Sequence, residues 1–343
     1  LALSESDICI AILNWNGLHH LQRFLPSVVQ NSGSARICVI DNASGDASVS
    51  WLRDNFPAIE LEVLDRNYGF TGGYNRGIAR LNAELIVLLN SDVEVRKGWL
   101  SPLLARMNQN GVAACQPKIL ALHNPDQFEY AGASGGFLDF LGYPFCRGRL
   151  FDTCEPDTGQ YNDARQVFWA SGACMMVRRK DYIDAGGLEE RFFAHMEEID
   201  LCWRFLNRGL EVWVEPASEV LHLGGGTLAK SSPRKTFLNF RNGLAMLYMN
   251  THGFQTFGII LLRLILDGLA GIQFLMKGEI KNCLAIIRAH FSFYADFGYW
   301  SSKRKTNSEK TRVRIPESIL FRSSLVLQYF LRGKKRFSDM KFQ

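Results

Sequence analysis

The sequence predicts an α/β fold: a mostly parallel central sheet flanked by helices, with a helical, membrane-associating region at the C-terminus. Four strand-like segments, among them the continuous apolar run at 8–15, alternate with three helix-spaced segments, which argues a parallel sheet with helices on both faces. Polar clusters rich in Asn, Asp and Gly follow the strand-like segments, where open parallel sheets bind ligands. Beyond residue 233 the strand signals stop and long apolar stretches of helical character begin.

The elements follow in order. Residues 8–15 (ICIAILNW) read as a buried strand, 19–31 as a helix, 35–46 as a second strand with a polar turn, and 48–56 as a helix. Residues 59–65 are a third strand, 67–82 a glycine-rich turn feeding a helix, and 83–95 a fourth strand with acids at its end. From about 115 to 165 the pattern loosens into loops and short strands. Residues 167–188 resume as strand, short helix and turn; 197–209 form a helix ending at Gly209; 210–227 read as strand, turn and strand. In the C-terminal region, 254–276 is apolar but carries Arg263 and Asp267, spaced to pair at i, i+4. Its longest uncharged stretch falls short of the ~20 residues that a spanning helix needs, so an interfacial or re-entrant helix is expected. Residues 301–314 read as a solvated basic linker, and 318–337 as an amphipathic helix with a basic end. The expected division is 1–232 and 233–343.

A chain of 343 residues, 47% hydrophobic and 21% charged, is globular rather than disordered. Its eight cysteines include no CxxC pair and no zinc spacing, so buried free thiols in a reducing compartment are expected. The opening stretch enters a strand at once and reads as no leader. The net charge of +5 hides an asymmetry: residues 277–343 hold 15 Lys and Arg against 5 Asp and Glu, and the remainder is net negative. A basic tail on an acidic body fits an anionic membrane surface. Nucleic acid is the alternative, but the tail lacks an interleaved aromatic platform, and no nucleic acid partner is expected.

Several clusters could carry chemistry. Asp41 ends a strand in DNASGD, where a carboxylate can meet a base or ribose hydroxyl. The stretch NYGFTGGYNRG (67–77) holds four glycines between strand and helix but matches neither a Walker A loop nor GxGxxG. Asp92 and Glu94 follow an apolar run, where hard oxygen ligands suit a divalent cation on phosphates. MEEID (196–200) crowds Glu197, Glu198 and Asp200 beside large aromatics, raising proton affinity as a general base requires; a solvated acidic helix turn is the plainer reading. Trp169 offers a flat apolar face, or packs in the core.

Read together, AILNWNG, VIDNASGD, NYGFTGGYNRG, LLNSDVEV, SGACMMVRR, GGLEERFFAHMEEIDLCWR and VLHLGGGT resemble the nucleotide-sugar domain of family 2 glycosyltransferases, the GT-A fold, over roughly residues 7–228. The branch it most resembles comprises rhamnosyltransferases and galactofuranosyltransferases of bacterial surface-polysaccharide assembly. The resemblance implies that Asp41 holds the donor pyrimidine, with Asn14 and Asn67 nearby, and that Gly72, Gly73 and Asn75 line the diphosphate and ribose pocket. It implies that Asp92 and His222 hold Mn²⁺ or Mg²⁺, with the DxD-type motif reduced here to Asn90-Ser91-Asp92. Glu198 matches the catalytic base; Glu197 and Asp200, with Trp169, fall on the acceptor side, and Asp200 can instead pair with Arg204. The implied activity is inverting transfer from a UDP- or dTDP-sugar to a lipid-linked or polysaccharide glycan, by a peripheral protein at the cytoplasmic face of the inner membrane. A sugar nucleotidyltransferase is the alternative enzyme.

Overall fold

The computed structural model describes residues 2–224 and 232–342. Strand β1 (Ile8–Asn14) is buried almost throughout, and its side chains alternate between two cores. Cys9 and Ala11 face one side; Ile8, Ile10 and Ile12 face the other. Helix α1 (Leu18–Asn31) lays Leu21, Phe24, Leu25 and Val28 on the sheet at the i, i+3, i+4, i+7 spacing of one helical face. The alternation continues through β2 (Arg36–Asp41), α2 (Ser48–Asn55), β3 (Glu60–Val63), α3 (Gly69–Arg80) and β4 (Leu85–Asn90). β1 lies between β2 and β4, parallel to both, and β3 runs parallel to β2 beyond it. The registers Asn14↔Asp41 and Leu13↔Asn90 bring three strand ends to one edge of the sheet.

The glycine-rich segment differs from the sequence expectation. Helix α3 begins at Gly69, so Gly72 and Gly73 lie inside the helix rather than in a turn before it. The reason is close packing: a Cβ at Gly77 would meet Ile40 Cδ1 at 2.2 Å, and one at Gly73 would meet Leu13 Cδ1 at 2.7 Å. Without side chains at these positions, α3 settles directly onto β1 and β2.

After β5 (Val93–Val95) and α4 (Leu100–Met107), the stretch expected to loosen instead opens with β6 (Val112–Ala121), a long strand of the main sheet. Short strands β7 (Asn124–Phe128), β8 (Gly136–Asp139), β9 (Pro144–Cys146), β10 (Arg149–Leu150), β11 (Thr153–Cys154) and β12 (Arg165–Gln166) follow. Next come β13 (Cys174–Arg178), α5 (Arg179–Ala185), α6 (Glu197–Asn207) and β14 (Glu211–His222). The main sheet runs β12-β14-β6-β13-β4-β1-β2-β3, with β13 antiparallel to both neighbours and β6 parallel to β14. β14 corrects the expected strand–turn–strand: it is one strand in which the register jumps, Glu215 facing Pro117 and Glu219 facing Lys118, so the intervening residues bulge. Part of the final glycine motif, residues 225–227, lies outside the described residues.

The C-terminal region comprises α7 (Pro233–Asn250), α8 (Gln255–Met276), α9 (Ile280–Ala295), α10 (Phe297–Lys310) and β15 (Leu320–Phe321). Pro233 opens α7, where its fixed φ suits the first turn and its missing N–H costs nothing. The expected linker at 301–314 is helical through Lys310, because Trp300 is fully buried and Arg304 and Asn307 bond to Tyr248 O and Asn250 Oδ1. The expected amphipathic helix at 318–337 is also corrected. β15 pairs in parallel with β8, extending the small sheet β11-β10-β9-β8-β15, and two short helical turns follow, at Leu327–Leu331 and Phe337–Asp339. Phe321, Phe337 and Phe342 pack around Phe145, so the apolar residues serve the core rather than a helix face. All eight cysteines are free; burial pushes the Cys9 and Cys38 thiols up to about 12.

Candidate active site

The strand ends form a polar rim. Asp41 is fully buried: its Oδ2 accepts from Asn14 Nδ2 at 2.9 Å and from the Ser44 hydroxyl at 2.7 Å, and its Oδ1 accepts from Ser44 N at 2.8 Å. Asn14 Oδ1 is buried and has no hydrogen-bond partner among the described residues. Asn42, the neighbour of Asp41 in DNASGD, staples the next loop. Its amide donates to Asn67 Oδ1 at 3.0 Å and to Gly69 O at 2.9 Å, and its oxygen accepts from Tyr68 N. Asn67 is therefore a loop former at the mouth of α3 as well as a candidate ligand. Asn75 does not face that rim freely. Its oxygen accepts from the Tyr182 hydroxyl at 2.6 Å and from Leu188 N at 2.9 Å, and its amide donates to Leu188 O. Both of its polar atoms are committed to holding the segment before α6.

His222 pairs with Val93 across β14 and β5, which sets its ring beside Asp92. Nε2 lies 3.2 Å from Asp92 Oδ1 and Nδ1 lies 3.2 Å from Glu129 Oε2. All three side chains are buried. Burial would depress the imidazole, but the two flanking carboxylates outweigh it and lift it to about 10. Glu129 was invisible in the sequence, being a lone acid in a loop-rich stretch. Its carboxylate also accepts from Ala131 N, and a Cβ at Gly224 would lie 2.6 Å from its Oε1. The carboxylate thus faces the far nitrogen of the ring at ion-pair distance but without hydrogen-bond geometry, on the side where partners of metal-binding histidines sit. Among the described residues no three His, Cys, Asp or Glu side chains form a closed metal cage. One imidazole nitrogen and one carboxylate oxygen facing each other fit a divalent ion completed by diphosphate oxygens and water.

The acid cluster sits at the start of α6. Phe193, His195 and Met196, just before it, all have φ between 65° and 73°, a left-handed backbone rare in non-glycine residues. Asn242 of α7 secures this strained segment: its Nδ2 donates to Phe192 O at 3.1 Å, Ala194 O at 2.9 Å and His195 O at 2.8 Å. Burial depresses the His195 imidazole to about 4. Glu197 is buried and Glu198 partly so, and the Oε2 of each lacks a hydrogen-bond partner among the described residues. Burial lifts Glu198 to about 7 against the opposing backbone N–H groups of the first helical turn. Burial, then repulsion from Glu198, pushes Glu197 well above the usual carboxylate range.

Asp200 differs from its neighbours. It pairs with Arg204 at 2.8 Å and accepts from Asn250 Nδ2 at 2.7 Å, so both oxygens are spent inside the protein. Its placement on the acceptor side is corrected; its pairing with Arg204 is as expected. Trp169 is also corrected. It is 3% exposed, its Nε1 donates to Phe137 O, and its ring lies against the backbone of Gly136, so no face is open to a sugar.

Residues 171–173 join the two halves. Asn90 N donates to Ala173 O at 2.9 Å, close to Asp92 in sequence, and the Ser171 hydroxyl donates to Ala131 O beside Glu129. A Cβ at Gly172 would lie 3.8 Å from Glu198 Cβ and 3.5 Å from Phe70 Cζ. The Asp92–His222–Glu129 group and Glu198 therefore border one small-residue segment.

A family model described as glycosyl transferase family 2 matches residues 9–185. The chain is 30% identical over 224 residues to an N-acetylglucosaminyl-diphospho-decaprenol L-rhamnosyltransferase of Mycobacterium tuberculosis, covering 59% of this chain and 71% of that one. It is 23% identical over 261 residues to dTDP-rhamnosyl transferase RfbF of Shigella flexneri, covering 72% of this chain and 81% of that one. Among solved structures it resembles GalNAc-T7 with UDP, GalNAc and Mn²⁺, at a TM-score of 0.56 and 17% identity, covering 71% of this chain and 47% of that one. That last likeness concerns the fold alone.

Proposed function

Since the chain belongs to glycosyl transferase family 2 and has the GT-A fold, we propose that it is a metal-dependent, inverting glycosyltransferase. In this reading it moves a sugar from a UDP- or dTDP-sugar to a lipid-linked or polysaccharide glycan acceptor, at the cytoplasmic face of a bacterial inner membrane. The observation that carries the proposal is the pair of buried, unpartnered carboxylate oxygens on Glu197 and Glu198, one small-residue segment away from Asp92 and His222. Leaving carboxylates unpaired in an apolar setting is costly, and such sites are where bases are tuned.

Glu198 takes the proton of the acceptor hydroxyl. The hydroxyl oxygen then forms its bond to the anomeric carbon as the bond to the diphosphate oxygen breaks. The electron pair leaves with the nucleoside diphosphate, and the anomeric configuration inverts in one displacement. Glu197 holds acceptor hydroxyls. Asp92 and His222 would hold Mn²⁺ or Mg²⁺, which when bound neutralises charge growing on the diphosphate. The unpartnered oxygen of Asn14 supports a donor site beside Asp41 and Asn67, with the bare backbone of Gly72 and Gly73 close by. Rhamnosyltransferase relatives, one of them named for a diphospho-decaprenol acceptor, support a 6-deoxyhexose donor and a lipid-linked acceptor. The division at residue 232 is functional in this proposal: 1–232 carries donor, metal and base, and 233–343 braces and docks them, sharing one core with the first part.

A panel of nucleotide-sugars, each with and without Mn²⁺, tests the reading by thermal shift. A UDP- or dTDP-sugar should raise Tm only with the metal, and the transferred sugar should have inverted configuration by NMR. Release of pyrophosphate instead of a nucleoside diphosphate would turn the assignment to a nucleotidyltransferase.

A further inference from the structure

More than half of the exposed large apolar side chains among the described residues fall between 254 and 294. On α8, Leu261, Ile265 and Leu269 lie at i, i+4, i+8 on the outward side, each about half exposed or more. On α9, Leu284, Ile287 and Phe291 form the matching stripe, Phe291 being 72% exposed. Both charges of α8 point the other way. Arg263 donates to Asp267 Oδ1 at 3.0 Å and to Leu141 O at 2.9 Å, and the Tyr143 hydroxyl and His290 also reach Asp267. The outward face of α8 consequently carries no charged side chain across its 22 residues. Exposed basic residues rim this surface: Lys277 after α8, and Lys281 and Arg288 a quarter-turn from the α9 stripe.

We infer that the outward face of the α8–α9 hairpin docks onto an anionic lipid bilayer and that the protein lies on it without crossing it. The inference deepens the lipid-linked-acceptor reading and rests on that reading for its purpose. α8 is long and apolar enough to cross a membrane. Its inward side, however, is bolted at mid-length to Leu141 and Tyr143 in the turn between β8 and β9. Lipid cannot surround a helix whose middle is tied to a globular body, so only the outward half is available to acyl chains. A second copy fits the face poorly, because an α9-to-α9 contact would oppose basic rims of one sign; anionic headgroups complement them. The docking helices connect to the chemistry through α7, which packs on both and holds the Glu198 loop by Asn242. This surface takes in the interfacial helix expected at 254–276 and the first part of the basic region that begins at residue 277.

Flotation of the full chain tests this, with vesicles of phosphatidylcholine alone or mixed in equal parts with phosphatidylglycerol. The wild type should float with the mixed vesicles and wash off in alkaline carbonate. Ile265→Glu combined with Leu269→Glu should abolish flotation. Lys281→Glu combined with Arg288→Glu should lower partitioning to mixed vesicles about thirtyfold and leave phosphatidylcholine binding unchanged. UDP binding with Mn²⁺, measured on the same proteins, should be unaffected. Undiminished flotation of the Ile265/Leu269 double variant would overturn the inference, as would resistance to carbonate, or a stable dimer that floats with neither vesicle. Loss of flotation alone with intact nucleotide binding concerns only docking; a wild type that floats but binds no nucleotide undoes the transferase reading instead.

Discussion

Asn242→Ala is the perturbation that best separates a braced active site from a merely well-folded one. The two N–H groups of the Asn242 amide are shared among three carbonyls, on Phe192, Ala194 and His195. Each net hydrogen bond contributes about 1 kcal/mol, and carbonyls left without partners add a similar penalty. Three left-handed non-glycine residues store roughly 1–2 kcal/mol apiece, so the clamp and the strain that it restrains are of like size. Removing the clamp should lower stability by about 2–3 kcal/mol and let the segment ahead of Glu198 relax. A shift of about 1 Å in a reacting group costs on the order of a hundredfold in rate. Urea denaturation should therefore show the stability loss, and steady-state kinetics a kcat about a hundredfold lower, with nucleotide affinity nearly unchanged because Asn14, Asp41 and Asp92 lie on other elements. Asn242→Asp, which keeps the shape and removes the donors, should behave the same way. If kcat survives in both variants, or if nucleotide binding falls as far as kcat does, the bracing argument is wrong.

Further expectations follow from the same geometry. Glu198→Gln should retain UDP binding with Mn²⁺ while losing most turnover, and near-normal transfer by this variant would remove Glu198 from the base role. With its carboxyl raised to about 7, wild-type transfer should climb as pH rises through neutrality, since the base acts deprotonated. Stability should move the opposite way between the ordinary carboxyl range and about 7, because the folded chain there holds more protons than the unfolded one; the gap between wild-type and Glu198→Gln melting curves checks the sign. Glu129→Gln should weaken Mn²⁺ binding about 10–100-fold by electron paramagnetic resonance of the free ion, with UDP present, because the carboxylate charge 3.2 Å from the far nitrogen of His222 is lost. Gly77→Ala should destabilise by about 1–3 kcal/mol through collision with Ile40, without altering the metal response.

The half of the fold built from β1 to β4 was legible because β1, β2 and β4 are largely apolar runs and the alternating Glu-Leu-Glu-Val of β3 falls among them at the same spacing. Legibility fails where long-range pairing overrides local character. Residues 318–337 have helical spacing, yet Leu320 and Phe321 are recruited as an edge beside β8. Pro216 made β14 look like two strands, whereas a bulge absorbs the residues around it. At the site, Asp92, His222, Glu197 and Glu198 stand out by motif. Glu129 and Asn242 do not, because a single buried partner leaves no spacing to recognise. Trp169 and Asp200 were misleading for the converse reason: residue type suggested contact with sugar, and only burial and bonding reveal that their surfaces are already used.

The bulge in β14 acts as a phase setting for the imidazole at its end. Three residues, Pro216 to Ser218, are accommodated where β6 advances by a single step. Because strand side chains alternate with a period of two, deleting any one of them would swing every downstream side chain to the opposite surface of the ribbon. His222 would then turn its ring away from Asp92 although no residue touching donor or acceptor had been altered. A one-codon deletion in an otherwise plain stretch would thus separate Asp92 from His222, and with them the proposed cation site, by parity alone.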